Sequence, residues 1–256
     1  MISLDELKKI ARIKNISNLG YVEKDYLLDV VLFSISKNTK NELVFKGGTC
    51  LYKFYKINRF SEDVDFSAVK KINIDDLMKK ILADLSLFGI EADVKEKKER
   101  YNTVLLTLLV KGPLYTGNRN SLCSIRIDIN LKSEVVLEPR LETHHSLYPD
   151  IYAYSLLIMQ EKEILAEKIR AIINRDHARD VYDLWFLLER GILFDKSLIA
   201  TKLSYYKKDW NYKEFVLRIQ DKQTVWDDEM GQLLMGTAPA FKDVAKAILQ
   251  KINFSV

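Results

Sequence analysis

The residues able to do chemistry fall into a few short stretches: Lys46-Gly47-Gly48-Thr49, Ser61-Glu62-Asp63-Val64-Asp65, Asp128, and the run from Lys168 to Asp183. Leu43 to Phe45 read as a short apolar strand, and Leu51 to Tyr55 begin an apolar helical face. The glycine pair therefore sits at a strand-to-helix turn, where glycine lets the backbone come close to a bound group. The helix start that follows aims free N–H groups and a partial positive charge at the same place, which suits phosphate. Asp63 and Asp65 alternate with Val64 and Phe66. On a strand that period sends both carboxylates to one face and both apolar side chains to the other. Two carboxylates opposite a phosphate cradle suit a divalent cation of the Mg²⁺ kind.

Each stretch alone is common, because a Gly-Gly-Thr is usually a capped turn and an Asp-x-Asp a solvated edge. In this order, with a helix between, they resemble the nucleotidyltransferase superfamily. Lys46 to Leu51 and Arg59 to Phe66 resemble more narrowly the AbiEii toxin family, the killing half of abortive-infection toxin–antitoxin pairs. Glu23-Lys24-Asp25-Tyr26 ahead of the glycines also looks like such chains. Read by itself, that block is a helix start with acidic residues favoured by the dipole.

The elements that must position these residues follow from periodicity. Helices are expected over Leu4 to Arg12, Val22 to Ser36 and Asp75 to Leu87, with Gly89 as a stop. Strands are expected over Glu91 to Lys98 and Asn102 to Val110. The cleanest alternation then puts Ser124, Arg126, Asp128, Asn130 and Lys132 on one face and Ile125, Ile127, Ile129 and Leu131 on the other. From about Pro149 helical spacing takes over, with helices over Leu156 to Ile173, Val181 to Arg190, Asp195 to Tyr206, Tyr212 to Gln220 and Pro239 to Ile252. The stretch from Glu142 to Ile151, with His144 and His145, reads as loop. The expected fold is α+β: residues 1–145 form a nucleotidyltransferase-type α/β domain with a mixed sheet. Residues 146–256 form a helical bundle that completes the active-site cleft.

Composition sets bounds on this. At 256 residues, 48% hydrophobic and 30% charged, the chain resembles an ordinary soluble globular protein. A net charge of +4 permits a polyanionic partner without demanding one. Two cysteines and three scattered histidines offer neither a disulfide framework nor a transition-metal cluster. No signal peptide is visible, and no stretch approaches the roughly 18 apolar residues of a membrane span, so the expected location is cytoplasmic.

The resemblance implies roles. Gly47, Gly48 and Thr49, flanked by Lys46 and Ser61, hold the nucleotide triphosphate, and Asp63 and Asp65 hold two Mg²⁺ ions. Related enzymes add a third carboxylate from a neighbouring strand, for which Asp128 is the candidate; otherwise Asp128 is an exposed-face residue paired with Arg126 or Lys132. Lys168 contacts the nucleotide phosphates or base and Asp183 orients it, although the spacing also lets Arg175 or Arg179 serve. On an unbroken helix Lys168, Arg175 and Arg179 share a face; alternatively Asp176 or Asp180 caps a new helix and the bases gather near a bend. Further on, lysines 202, 207, 208 and 213 among Tyr205, Tyr206, Trp210 and Tyr212 read either as an aromatic core stripe with solvated lysines or as an RNA-stacking surface.

The activity implied is Mg²⁺-dependent transfer of nucleotides from an NTP to an RNA, foremost the 3′ end of tRNA, which stops translation. The implied partner is a winged-helix antitoxin encoded alongside. Rival readings are nucleotidylation of a protein or small molecule, a nucleotide- or RNA-binding module without turnover, and a metal nuclease. Intact Asp63 and Asp65 argue against the binding module, and a nuclease leaves the Gly-Gly-Thr without a purpose.

Overall fold

The computed structural model describes residues 1–132 and 134–253. It divides into two compact units. The first comprises Met1–Tyr55, Phe60–Ser133 and Pro139–Ile158; the second comprises Lys56–Arg59, Glu134–Glu138 and Met159–Val256. The expected boundary after residue 145 thus lies inside the first unit.

In the first unit the elements run α1 (Leu4–Lys14), α2 (Leu19–Asn38), β1 (Leu43–Lys46), α3 (Gly47–Lys53), β2 (Asp63–Ala68), α4 (Ile74–Leu87), β3 (Glu91–Arg100), β4 (Thr103–Lys111), β5 (Cys123–Asn130), β6 (Arg140–His144) and β7 (Tyr154–Ile158). All seven strands join one sheet in the order β3-β4-β5-β2-β1-β7-β6. It is mixed: β2 runs parallel to β5 and β1 to β7, while the other neighbours are antiparallel. The motif strands β1, β2 and β5 are therefore central and adjacent. Val64, Phe66, Ile125, Ile127 and Ile129 turn inward and are essentially inaccessible. Burying side chains of this size is worth roughly 1.5–3 kcal/mol each, which fixes the strands' face and register.

Helix α1 starts with a capping box, in which the Ser3 hydroxyl accepts from the Glu6 N–H and the Glu6 carboxylate accepts from the Ser3 N–H. Helix α4 begins at Asn73, whose side chain accepts from the Asp76 N–H, and it buries Leu77, Met78, Ile81 and Leu85 at helical spacing. Helix α2 is buried along most of its length and carries Glu23, Asp25 and Asp29 inside with its aliphatic residues.

The second unit contains α5 (Glu161–Asn174), α6 (Ala178–Glu189), α7 (Lys196–Ser204), α8 (Tyr212–Asp221), α9 (Gln223–Leu233) and α10 (Phe241–Asn253).

Several elements differ from expectation. Leu156 to Ile158 belong to strand β7, where Tyr154, Leu156 and Ile158 are buried and Ser155 is exposed. That period of two outranks the helical spacing beyond it. Residues 142–144, expected as loop, belong to β6; four of its five residues are exposed, so it carries no apolar signal. His144 is buried at its end. Leu131 lies beyond the end of β5 and is exposed. Helix α9 follows α8 through Lys222 alone, and its acidic Asp227-Asp228-Glu229 run masks its periodicity. No helix among the described residues is long and apolar enough to cross a membrane.

Candidate active site

Strand β1 ends at Lys46, whose Cα pairs with that of Asp65 on β2. Helix α3 starts directly at Gly47, four residues before the apolar face that the pattern suggests. Gly47 has φ +76°, a region that side-chain-bearing residues adopt at a cost. A Cβ on Gly47 would stand 3.0 Å from the Asp65 carboxyl carbon and 3.1 Å from its Cβ, closer still to a carboxylate oxygen. The glycine and the second aspartate of the motif are thus in contact, and a side chain at position 47 would have to displace the Asp65 carboxylate.

The Thr49 hydroxyl is buried. It donates to the Asp63 carbonyl and lies 2.9 Å from the Ser61 hydroxyl. Thr49 and Ser61 therefore lock the glycine turn onto the chain just before β2. The first N–H groups of α3 have no acceptor within the helix and stay directed along its axis.

Asp63 and Asp65 point to the same side of β2, opposite Val64 and Phe66. In the parallel register Asp65 pairs with Asp128 and Asp63 with Arg126, which sets Asp128 beside the motif as a third carboxylate. Burial pushes the Asp128 carboxyl above its ordinary range; Lys46 and Arg126 oppose the rise and Asp63 adds to it. Among the described residues Asp128 has no ion-pair partner. Arg126 instead approaches Asp63 at 3.8 Å, with its own side chain exposed and that of Asp63 partly so.

These are hard oxygen donors, and no three such side chains among the described residues converge into a ready-made ion cluster. Mg²⁺ rarely asks for one, since it keeps several waters and binds through one or two carboxylates plus substrate phosphates. Asp63 and Asp65 fit that demand, and Asp128 lies one strand away.

In the second unit α5 ends at Asn174 and α6 starts after His177, so the chain breaks between Lys168 and Arg179. The bases gather near a bend, but neither Asp176 nor Asp180 caps α6; Glu229 accepts from the Ala178 N–H at 2.6 Å. The Lys168 ammonium, nearly buried, lies 2.9 Å from Asp180 and 2.6 Å from Asp183. Arg59 donates to both oxygens of Asp183 at 2.5 and 2.6 Å. Arg175 donates to both of Asp180 at 2.7 and 2.8 Å while remaining half exposed. Burial alone would raise both carboxyls. Lys168 and Arg175 reverse this at Asp180, and Arg59 and Lys168 at Asp183, so both lie below the usual range. Arg179 stands 3.6 Å from Glu229.

Arg59 and Asp180, to which the sequence alone assigns no binding role, complete this network. Arg59, four positions before Asp63, belongs to the quoted motif but carries no spacing signal of its own. The lysine–aromatic stretch is structural in part. Lys202 is buried 2.6 Å from Glu163 and 3.2 Å from Glu167, and Trp210 lies against Phe194 and Phe215.

A family model described as Nucleotidyl transferase AbiEii toxin, Type IV TA system, matches residues 31–247. The chain belongs to this family. As an AbiEii chain it is a nucleotidyltransferase toxin of a toxin–antitoxin system, and the matched span holds every candidate site residue. Its fold is similar to that of MenT4, the nucleotidyltransferase toxin Rv2826c from Mycobacterium tuberculosis H37Rv. The TM-score is 0.68 at 21% identity, over 97% of this chain and 88% of that one. JHP933 from Helicobacter pylori is similar with a TM-score of 0.56 at 18% identity, over 92% and 94% of the two chains. At these identities the likeness speaks for the fold. No curated protein sequence matches the chain.

Proposed function

We propose that this AbiEii toxin transfers a nucleoside monophosphate from an NTP to an RNA hydroxyl, foremost the 3′ end of tRNA, and so blocks translation. The contact between Gly47 and Asp65 carries the reading, because it seats the turn suited to phosphate directly against the carboxylate strand. Gly47 and Gly48 let the triphosphate approach the backbone, and the first N–H groups of α3 meet its negative charge. Lys46 and Ser61 flank that turn.

Asp63 and Asp65, with Asp128 beside them, would hold divalent cations, Mg²⁺ by donor chemistry. Such ions supply positive charge to the triphosphate and make the attacking hydroxyl more acidic. The acceptor oxygen bonds to the α-phosphorus, the bond from that phosphorus to the β-phosphate oxygen breaks, pyrophosphate leaves, and the hydroxyl proton passes to water. No covalent protein intermediate is required; the chain contributes position and charge.

Lys168 and Asp183, with Arg175 and Arg179, keep the substrate-contacting roles implied by the resemblance. Lys168 takes up such a role by releasing one of its two carboxylates. The partner is a winged-helix antitoxin acting as a repressor, with no stable complex required.

The test incubates the protein and its Asp63→Ala variant with Mg²⁺, total tRNA and each α-labelled NTP in turn. Label entering full-length or lengthened tRNA with the wild type alone is the expected result, and the active lane names the nucleotide. Unlabelled tRNA in all four lanes, from protein that still arrests growth, overturns the RNA acceptor and points to a protein or small molecule. Shortened RNA would mean a nuclease.

A further inference from the structure

Glu23-Lys24-Asp25-Tyr26 finds no place in the site above and precedes the span matched by the family model. The structure gives its acidic residues definite work. Glu23 accepts from the Leu114 N–H at 2.6 Å and fills the space beside Gly112. Asp25 is fully buried, as is Asp29 one helical turn later. Between them sits the ammonium of Lys53, the last residue of α3. It is 2.6 Å from one Asp25 oxygen, 2.8 Å from one Asp29 oxygen and 3.2 Å from the Asp25 carbonyl. A lysine has three donors, and these three acceptors match them.

The other oxygens are also taken. The second Asp25 oxygen accepts from Lys14 and from Tyr148 at 2.7 Å. The second Asp29 oxygen accepts from Ser146 at 2.8 Å, while the oxygen held by Lys53 also accepts from Tyr154 at 3.0 Å and has His144 Nε2 at 3.4 Å. Two carboxylates and two ammonium groups from α1, α2 and α3 thus cancel inside the first unit, with hydroxyl and imidazole groups added by the chain around β6 and β7.

Such a core gives no advantage in stability over an apolar one. Well-packed apolar residues of similar volume often do as well as a buried ion pair or better. A fully satisfied polar network does specify one arrangement of the elements it joins. Helix α3 needs that, because at seven residues it is too short to hold itself. Its start is tied by Thr49 to the Asp63 carbonyl, and its end by Lys53 to Asp25 and Asp29.

We propose that the Lys14–Asp25–Lys53–Asp29 core is a positioning device for the nucleotide turn, with Lys53 and Asp29 as positioning residues that hold α3, and so Gly47 to Thr49, in the binding arrangement. This rests on reading Gly47 to Thr49 as the nucleotide turn. A loose α3 still folds onto the sheet but presents its N–H groups off line.

The test measures Mg²⁺-dependent binding of each NTP to the full chain by titration calorimetry, beside the KM for tRNA. Asp29→Asn and Tyr154→Phe weaken the core, Lys53→Arg conserves its charge, and Leu77→Ala on α4 is a control destabilised outside it. Asp29→Asn should weaken NTP binding about tenfold relative to the control, while the KM for tRNA stays put. Tyr154→Phe, which loses one donor and keeps the ring, should weaken it about two- to threefold. Lys53→Arg should retain binding. Core variants that melt earlier yet bind NTP like the wild type overturn the inference; should Asp29→Asn fail to fold, Tyr154→Phe decides. A wild type that binds no NTP removes the nucleotide-turn reading and this inference with it.

Discussion

Gly47 and Asp65 share one space: the face of Gly47 that a side chain would occupy is filled by the Asp65 carboxylate. The backbone at Gly47 is also left-handed, at φ +76°. Gly47→Ala therefore carries two costs, about 1 kcal/mol of backbone strain and the displacement of Asp65. The expected outcome is a melting temperature lower by a few degrees and a transfer rate lower by about 100-fold or more, because a displacement of about 1 Å can cost that much. Gly48→Ala is a useful partner, since Gly48 does not share the left-handed backbone. Equal transfer rates for Gly47→Ala and wild type would show that Asp65 does not need its present position.

Asp128 should show stability and activity pulling apart. Burial and the charge of Asp63 raise its carboxyl above the ordinary range, so its ionised form costs stability near neutral pH. Asp128→Asn keeps the shape and removes the charge. Without added divalent ions the variant should melt slightly above the wild type. Transfer should fall by at least about 100-fold if the carboxylate helps to hold the cation. A variant that melts earlier would mean the charge has a favourable partner, and unchanged transfer would reduce the site to Asp63 and Asp65.

Much of this site was legible because its signals are local. The alternation around Asp63 and Asp65 and around Asp128 reflects one buried face per strand, and the structure places those strands side by side. The family resemblance was equally legible, since its residues lie in short blocks. The rest depends on distant partners. Asp25 reads as a dipole-favoured residue at a helix start, and only the fold brings Lys53, Lys14 and Tyr148 to it. Arg59 likewise acquires its role from Asp183, 124 positions away. Strand β6 has an exposed polar pattern, so it follows from its pairing with β7 and from nothing in its own composition.

The buried carboxylates fix the sign of the acid response. At Asp25, Asp29, Asp180 and Asp183 burial pushes the carboxyl up, but neighbouring cations outweigh it and leave each below its ordinary value. Such groups contribute stability that is fully present above the unfolded value, about 3.9, and is lost as pH falls below it towards the lower folded values. The melting temperature, followed by circular dichroism, should drop steeply as pH falls below about 4. Moderate salt should change it little, since buried pairs are poorly screened. Acid loss centred above pH 5.5 would assign the transition to other groups.

Lys168 and Asp63 should fail in different ways. Lys168 neutralises two buried carboxylates at once, Asp180 and Asp183. Removing one partner of a buried pair typically costs about 3–5 kcal/mol. Here Arg59 and Arg175 remain on the two carboxylates, so about 2–3 kcal/mol is expected for Lys168→Ala. That corresponds to a melting temperature lower by roughly 5–10 °C. Asp63 is partly exposed and meets Arg126 only at 3.8 Å, a contact worth little to the fold. Asp63→Ala should therefore lose transfer while melting with the wild type. Lys168→Ala should lose it with part of its stability, so its inactivity alone would not assign Lys168 to the substrate. Nucleotide binding measured well below the variant's melting temperature separates the two roles. Retained binding would make Lys168 a structural counter-charge, and lost binding in a folded protein would place its ammonium on the phosphates.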